Sequence, residues 1–265
     1  MARGISPSEA VVLERLELER PSLVTTDGLA GLLREAGIGT LPRVFAARLR
    51  RKGWLLATPQ PGVWEFAPAA VAGPYSSADP LLGFRSFLAR HPGAACGLTF
   101  QAAAWAHGLA DRAPARPEVA AVDAGTARRL PSVLNGSVFV PVLGYVQARD
   151  VPALRPESVI VHMCAKPMSV RSWASTLEWL PDLAAETSGD DILLEVASRP
   201  ASVWARAGYL LQGLRPDIAA RIAEGRALPA RTWFGSRNPV LRHDASWQVA
   251  DALLPFDPRT LEAVS

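Results

Sequence analysis

Positive charge is concentrated in one short stretch of this chain, residues 40–52, whose sequence is TLPRVFAARLRRK. The stretch holds five basic side chains and no acid, and no carboxylate occurs between Glu35 and Glu65. Such a surface has no local partner and suits a polyanion. An aromatic-containing hairpin sequence follows at once, so we predict a DNA-binding helix and its wing. The five basic residues are Arg43, Arg48, Arg50, Arg51 and Lys52.

The rest of the chain is close to neutral. Lys and Arg number 28 against 25 Asp and Glu, which leaves a net charge of only +3. A length of 265 residues with 49% apolar side chains indicates a globular protein of about two domains. We find no apolar run of signal-peptide length at the N-terminus, and no segment near the ~20 apolar residues that span a bilayer. We therefore expect a cytoplasmic protein without a membrane partner.

The first predicted helix begins at Ser6-Pro7-Ser8-Glu9. This sequence combines a capping Ser, a Pro at the first helical position and a Glu three residues after the cap. Val12, Leu13 and Leu16 then recur at helical spacing. We predict a helix that ends near Arg20 and buries this apolar face.

Two further helices are predicted before the hairpin. Thr25 or Thr26 caps the second helix, and Gly37 ends it in a left-handed conformation. Thr40 caps the third helix, in which Pro42 is tolerated because its missing N–H falls in the first turn. Helix, helix, short turn and helix is the order of a helix-turn-helix motif.

The third helix is predicted to be the recognition helix. A projection at about 100° per residue separates an apolar side from a basic side, where small residues let the backbone enter a major groove. The predicted core positions are Leu41, Val44, Phe45 and Leu49, and the predicted base-facing positions are Arg43, Ala46, Ala47 and Arg50.

Two arginines of this helix are assigned differently. Arg51 lies on the flank, where a phosphate is the expected target. Arg48 projects near the apolar edge, and an ion pair with an acid of the first helix is an equal alternative for it. For the whole basic segment, the alternative to DNA binding is a charged helix that is simply exposed to solvent.

The wing is predicted from the pattern around a turn. Residues 54–58 form a short apolar run, residues 59–62 supply Pro and Gly, and residues 63–67 resume the alternation. The tip carries no charge, so it adds little counterion release on DNA binding.

Residues 68–80 break every periodic pattern and are predicted to link two domains, residues 1–72 and residues 79–265. In the second domain, strands are predicted first and helices afterwards, which favours an α+β fold. The predicted helices are 81–90, 99–109, 173–186, 190–198, 201–213 and 217–224; the predicted strands are 117–123, 137–143 and 158–164. Residues 231–247 are predicted to return to the sheet as a hairpin that turns at residues 236–239.

The second domain shows no catalytic, nucleotide-binding or metal-binding motif. The spacing of its zinc-type residues fits no known structural site, and capping of a helix explains Asp190 and Asp191. We predict no cofactor, no metal and no catalytic residue. The zinc-type residues are Cys96, His107, His162 and Cys164; the tryptophans predicted to be core are Trp173, Trp179 and Trp204; and Asp182, Glu186 and Glu195 form an acidic patch or a solvated face.

Residues 97–109, GLTFQAAAWAHGL, followed by residues 117–122, PEVAAV, resemble the AbiEi family of antitoxins. The resemblance extends over most of the chain. It implies an N-terminal winged helix and a C-terminal antitoxin domain of mixed α/β structure, from a bicistronic type IV toxin-antitoxin system.

The resemblance further implies that the winged helix binds inverted repeats in its own promoter and that the C-terminal domain counters a nucleotidyltransferase-like toxin. Family members without a toxin gene act as DNA-binding regulators, and the sequence leaves both cases open. The antitoxic surface cannot be assigned residue by residue. The DNA-binding residues that the resemblance carries over are Thr40, Arg43, Ala47, Arg50 and Arg51.

Three functions follow from these observations. The first is an autorepressor and antitoxin that binds two half-sites as two copies, with Arg43 and Arg50 on guanines and Arg51 and Lys52 on phosphates. The second is a regulator whose C-terminal domain senses a small molecule in an apolar pocket. The third is a nuclease or nucleotidyltransferase, which would require clustered acids for metal ions.

Overall fold

The computed structural model describes residues 4–71, 79–225, 229–237 and 239–262. The chain has a mixed α+β fold and divides into two compact units. The first unit comprises Met1–Ala94 with Leu130–Leu134, and the second comprises Ala95–Arg129 with Asn135–Ser265.

The first unit combines four helices with a three-stranded antiparallel sheet of order β1-β3-β2, counted over its described residues. A 3-10 turn, Ala69–Val71, follows the last strand. The elements are α1 (Pro7–Glu19), β1 (Leu23–Thr25), α2 (Thr26–Glu35), α3 (Pro42–Arg51), β2 (Leu55–Ala57), β3 (Val63–Phe66) and α4 (Leu82–Arg90).

The predicted helix ends of α1 and α2 are confirmed. Glu9 N–H donates to Ser6 Oγ at 3.3 Å while Ser6 N–H donates to the Glu9 carboxylate at 2.8 Å, which completes a capping box. Thr25 caps α2 by accepting from Gly28 N–H, and Gly37 has a φ of +66°.

The start and the rotation of α3 differ from the prediction. The N-cap residue is Leu41, which makes no side-chain cap bond, so the prediction that Thr40 caps this helix is wrong. Leu41 and Val44 are 70% and 45% exposed, whereas Ala46 is fully buried beside Phe45 and Leu49. Because the methyl of Ala46 takes so little space, this side of α3 packs closely against the core. The core prediction is therefore wrong for Leu41 and Val44, and the base-facing prediction is wrong for Ala46.

The predicted hairpin is confirmed as β2 and β3, which pair antiparallel with Leu56 opposite Glu65. The short strand β1 was not predicted, because three residues between two helices carry no measurable periodicity. It pairs with β3, with Val24 opposite Trp64. The core of this unit contains Val12, Leu13, Leu16, Leu29, Leu33, Phe45, Leu49, Trp54, Leu55 and Phe66.

The first unit extends further along the chain than predicted. The helix α4 buries Phe84 and Phe87, its N-cap residue Leu81 is also buried, and the helix packs against β1 and β3, so the second unit does not begin at Asp79. Within the predicted linker, residues 72–78 lie outside the described residues. The packing of α4 against β1 and β3 is a long-range contact that the break in periodicity does not show.

The second unit contains a five-stranded mixed sheet of order β6-β5-β4-β8-β7 and a separate three-stranded sheet of order β10-β11-β9. Its helices are α5 (Phe100–Ala106), α6 (Ala124–Arg129), α7 (Pro156–Ala165), α8 (Trp173–Thr176), α9 (Leu180–Ala185), α10 (Gly189–Ala197), α11 (Ala201–Leu211) and α12 (Pro216–Gly225). Its strands are β4 (Cys96–Leu98), β5 (Glu118–Ala121), β6 (Asn135–Val138), β7 (Tyr145–Ala148), β8 (Val151–Leu154), β9 (Thr232–Phe234), β10 (Arg242–Asp244) and β11 (Val249–Asp251).

The strand predicted at residues 158–164 is wrong, because these residues belong to the helix α7. Pro156 occupies its first turn, and every residue from Glu157 to Cys164 is buried. A helix covered on all sides shows a continuous apolar run without a 3.6-residue period, which resembles a buried strand.

The predicted terminal hairpin is also wrong. The strand β11 lies between β9 and β10, parallel to the first and antiparallel to the second, and the three form their own sheet. The predicted strand at 137–143 is displaced to Asn135–Val138. Asn238, in the predicted turn, lies outside the described residues.

The prediction that Glu195 belongs to an acidic surface patch is wrong. Its side chain is fully buried and accepts hydrogen bonds from Ser158 Oγ at 2.8 Å and from the Arg199 guanidinium at 2.5 Å. Main-chain N–H groups of Val142 and Leu143 also donate to it. One carboxylate thus joins α7, α10 and the segment after β6.

Trp173, Trp179 and Trp204 are buried as predicted.

We expect Glu195→Ala to destabilise the protein by about 3–5 kcal/mol, since it removes the buried carboxylate that pairs with Arg199 and accepts hydrogen bonds from Ser158, Val142 and Leu143. Thermal and urea unfolding measure the change. Glu224→Ala, at an exposed position of α12, is the matched control and should stay within about 0.5 kcal/mol of the parent. Equal stability of the two variants would contradict the joining role of Glu195.

Candidate functional site

The helix α3 presents four exposed arginines. None of their guanidinium groups forms a hydrogen bond or an ion pair with another residue in the described part of the chain. Their charges are therefore available to a ligand. They are Arg43, Arg48, Arg50 and Arg51.

The fifth basic residue is paired. Lys52 Nζ lies 2.5 Å from Glu9 Oε2, and only 2% of Glu9 is exposed. Burial acts to raise the pKa of Glu9, but hydrogen bonds from Lys52 and Ser6 outweigh it, and the pKa lies below its ordinary value. The ion pair with the first helix that we considered for Arg48 is thus made by Lys52, and the expectation that Lys52 lacks a local partner is wrong.

The buried residues define which side of α3 faces outward. At about 100° per residue, the direction opposite Phe45, Ala46 and Leu49 passes through Val44, Ala47 and Arg51. Arg43 and Arg50 therefore lie on one flank of the exposed side, and Arg48 lies on the other. This rotation exchanges the positions that we predicted for Arg51 and for the pair Arg43 and Arg50.

Thr40 has a smaller place in this surface than predicted. It is half-buried and precedes the N-cap residue Leu41, so it lies just outside α3. The exposed α3 side, hereafter the basic face, consists of Arg43, Val44, Ala47, Arg48, Arg50 and Arg51.

A cleft of about 660 Å³ adjoins the Arg43 flank of the basic face, within the first unit. The start of α2, the turn between β2 and β3, and the end of α4 form its walls. It is lined by Thr26, Asp27, Arg43, Arg50, Gln60, Pro61, Gly62, Trp64, Arg90 and His91.

Hydrogen bonds fix the wall formed by the β2–β3 turn. Thr26 donates to Gly62 O from both its main-chain N–H, at 2.9 Å, and its hydroxyl, at 3.0 Å. Gly62 has a φ of +80°, and a Cβ there would lie 2.8 Å from Thr26 Oγ1. Thr58 Oγ1 also donates to Val63 O at 2.8 Å across the turn. The turn therefore holds a defined position beside α2.

Sequence reasoning missed Arg90 and His91. Arg90 is exposed in the last turn of α4, and His91 follows it with its ring 4.9 Å from that of Phe87. Their place beside the basic face depends on the packing of α4 onto the first unit. No local sequence signal indicates this packing.

Three of the residues of zinc-ligand type, His162, Cys96 and Cys164, are buried in the second unit. His162 lies 2.8 Å from Thr99 Oγ1 and 3.2 Å from Ser137 Oγ, and burial lowers its pKa to about 3, so its ring is neutral. Cys96 and Cys164 are buried thiols. Within the described ranges, no group of three or more His, Cys, Asp or Glu side chains could hold a metal ion. Over the same ranges, no helix has the length and apolar character needed to cross a membrane.

A second cavity, of about 420 Å³, lies within the second unit. Phe100, at a φ of +48°, and Trp179 contribute apolar surface to it. Its polar lining consists of Gln101, Arg112, Glu118, Arg171, Ser172 and Ser175.

Glu118 is the buried acid of this second cavity. Its Oε2 accepts from Ala102 N–H at 3.1 Å. Burial raises the pKa of Glu118 to about 7, against smaller opposing effects of main-chain hydrogen bonds and of the Arg171 charge. The carboxyl therefore changes its charge near neutral pH.

Residues 93–213 match the family described as the AbiEi antitoxin C-terminal domain. The crystal structure of the RV2827C protein from Mycobacterium tuberculosis is similar to the chain with a TM-score of 0.78 and 28% sequence identity. The similarity covers 96% of this chain and 94% of that protein. No curated protein matches the chain. The family match over residues 93–213 confirms the predicted resemblance to AbiEi antitoxins.

We expect Glu118→Gln to change the pH dependence of stability. The pKa of Glu118 in the folded protein, about 7, lies above its ordinary value of 4.5. The free energy of unfolding of the wild type therefore falls as the pH rises from about 4.5 to 7. Gln does not ionise, so the variant does not show this fall. The variant should gain on the order of 3 kcal/mol relative to wild type between about pH 5 and pH 8. Thermal unfolding across this range measures the difference. Glu178→Gln, at an exposed position, is the control, and a pH-independent difference for Glu118→Gln would contradict the prediction.

Proposed function

We propose that this chain is a DNA-binding transcriptional repressor whose second unit acts as an antitoxin. The element order α1-β1-α2-α3-β2-β3 corresponds to a winged helix-turn-helix domain, with α3 as the recognition helix and the β2–β3 hairpin as the wing. The observation that carries the proposal is the basic face, with its four unpaired arginines.

The charge distribution supports the same conclusion. The first unit holds 11 Lys and Arg residues against 8 Asp and Glu, and the second unit holds 17 against 17. The net charge of +3 therefore belongs to the first unit alone. A polyanion is attracted to that unit and not to the second.

We assign base readout to the centre of the basic face. In this proposal Arg51 donates two hydrogen bonds to a guanine edge, and Val44 and Ala47 contact thymine methyl groups. Arg48 on the opposite flank contacts the backbone. Thr40 lies beside the N-terminus of α3, and Lys52 contributes by fixing α3 to α1 through Glu9.

Repression follows by occlusion of a promoter. Two copies bind inverted repeats, with half-sites spaced by about 34–36 Å or a multiple of it. The AbiEi antitoxin domain supports an antitoxin role for residues 93–213. We propose a nucleotidyltransferase-like toxin as the protein partner, as the family resemblance implies.

Ligand sensing by the second unit is a second candidate function. The 420 Å³ cavity favours it, because Arg112, Arg171 and the buried Glu118 line it together with apolar surface. A small carboxylate or phosphate that also carries a hydrogen-bond donor fits this lining. Such ligands should raise the melting temperature of the full chain and not that of Arg171→Ala. Arg128→Ala is the control. If none of a set of small carboxylates and phosphates raises the melting temperature of the full chain, this candidate function is excluded.

We expect the full chain to bind its own upstream DNA at least ~10³-fold more tightly than a scrambled duplex. Arg51→Ala should cost about 1–3 kcal/mol on the native fragment and much less on the scrambled one, since it removes a base contact. Fluorescence anisotropy titrations with both duplexes measure the preference.

Arg15→Ala is the matched control. It removes one positive charge from α1, where Arg15 pairs with Glu19, and leaves the basic face intact. Equal binding of wild type to both duplexes would contradict sequence-specific repression. An unchanged preference in Arg51→Ala would move base readout away from the centre of the basic face.

A further inference from the structure

We infer that the cleft beside the basic face binds a backbone phosphate of DNA, and that Arg90 contacts this phosphate from outside the helix-turn-helix. This inference rests on the proposed DNA-binding function. It assigns Arg43 and Arg50 to the phosphate as well, although the sequence alone predicted that they read bases.

The charges that line the cleft favour an anion. Arg43, Arg50 and Arg90 contribute three guanidinium groups, and Asp27 is the one acid among the lining residues. None of the three arginines pairs with Asp27 or with another acid in the described part of the chain. A cleft in which charges of one sign outnumber the other focuses its field on an incoming ligand of opposite sign.

The shape of the cleft suits a phosphate that belongs to a strand. Arg43 and Arg50 are seven residues apart on α3, a spacing of roughly 10 Å along the helix axis. Both line the cleft, so one flank of α3 runs along it. The guanidinium fork matches phosphate oxygens with two parallel hydrogen bonds.

The surrounding elements place the cleft on the path of the DNA backbone. In a helix-turn-helix, the first helix of the pair crosses the backbone while the second lies in the major groove. Thr26 and Asp27, in the first turn of α2, form one wall, and the wing turn at Gly62 forms another. A backbone that enters the cleft meets the joined walls formed by the start of α2 and the wing turn, and it meets Arg90 as well.

The position of Arg90 is set by packing. Phe84 and Phe87 are fully buried beneath α4, and Arg85 forms an ion pair with Asp79 at 3.1 Å. Arg90 is therefore exposed in the last turn of a helix whose position these contacts fix within the first unit. A phosphate contact from this helix adds affinity and orientation but carries no base information.

Arg90→Ala tests the inference in the full chain. It should weaken binding to the native and to the scrambled duplex by a similar factor, leave their ratio unchanged, and reduce the slope of log K against log salt by about 1. Arg90→Glu should weaken both further. Arg15→Ala is again the matched control, and a melting curve equal to wild type confirms that each variant is folded.

The outcomes separate this inference from the proposed function. If wild type lacks a preference for the native duplex, specific repression fails, and the salt slopes of wild type and Arg90→Ala still decide the phosphate contact. If wild type shows the preference and Arg90→Ala keeps the wild-type affinity and slope, the inference is overturned. It is equally overturned if Arg90→Ala lowers only the preference, because Arg90 would then contact bases.

Discussion

The packing of Phe45, Ala46 and Leu49 against the first core determines where every arginine of α3 points. Burial of a side chain such as Phe or Leu contributes about 1.5–3 kcal/mol, far more than an exposed ion pair. A rotation of α3 by one residue, about 100°, would carry Val44 inward and turn Arg51 from the centre of the exposed side. The candidate DNA-binding surface is therefore set by apolar packing, and the charges occupy the positions that this packing leaves outside.

Local signals in the sequence predicted much of the first unit. The capping box at Ser6, the cap at Thr25 and the left-handed Gly37 are each specified by a few adjacent residues, and all three are present. The rotation of α3 was predicted less well, because the projection assumed that every apolar side chain faces inward. Leu41 and Val44 do not, and isolated apolar side chains are common on protein surfaces.

Features that depend on distant residues were not predictable in this way. The helix α7 is buried on all sides and so lacks the period that distinguishes a helix from a strand. The order of β9, β11 and β10 is set by pairing between segments that are not adjacent in sequence. Arg90 belongs to the same class, since its place in the cleft depends on α4 packing against β1 and β3. Within the candidate site, the sequence thus indicated the basic helix but not its neighbours.

The pairing of Lys52 with Glu9 separates a structural charge from the charges available for binding. The buried carboxylate of Glu9 accepts from Ser6 N–H at the start of α1 and pairs with Lys52 at the end of α3. This one side chain therefore fixes the two helices to each other. The four arginines of α3 remain without partners among the described residues. A ligand phosphate would thus find guanidinium groups on a helix whose position is already fixed, with no internal ion pair to break. Binding then loses less conformational entropy than it would on a mobile basic segment, and a small number of charges suffices for a defined interface.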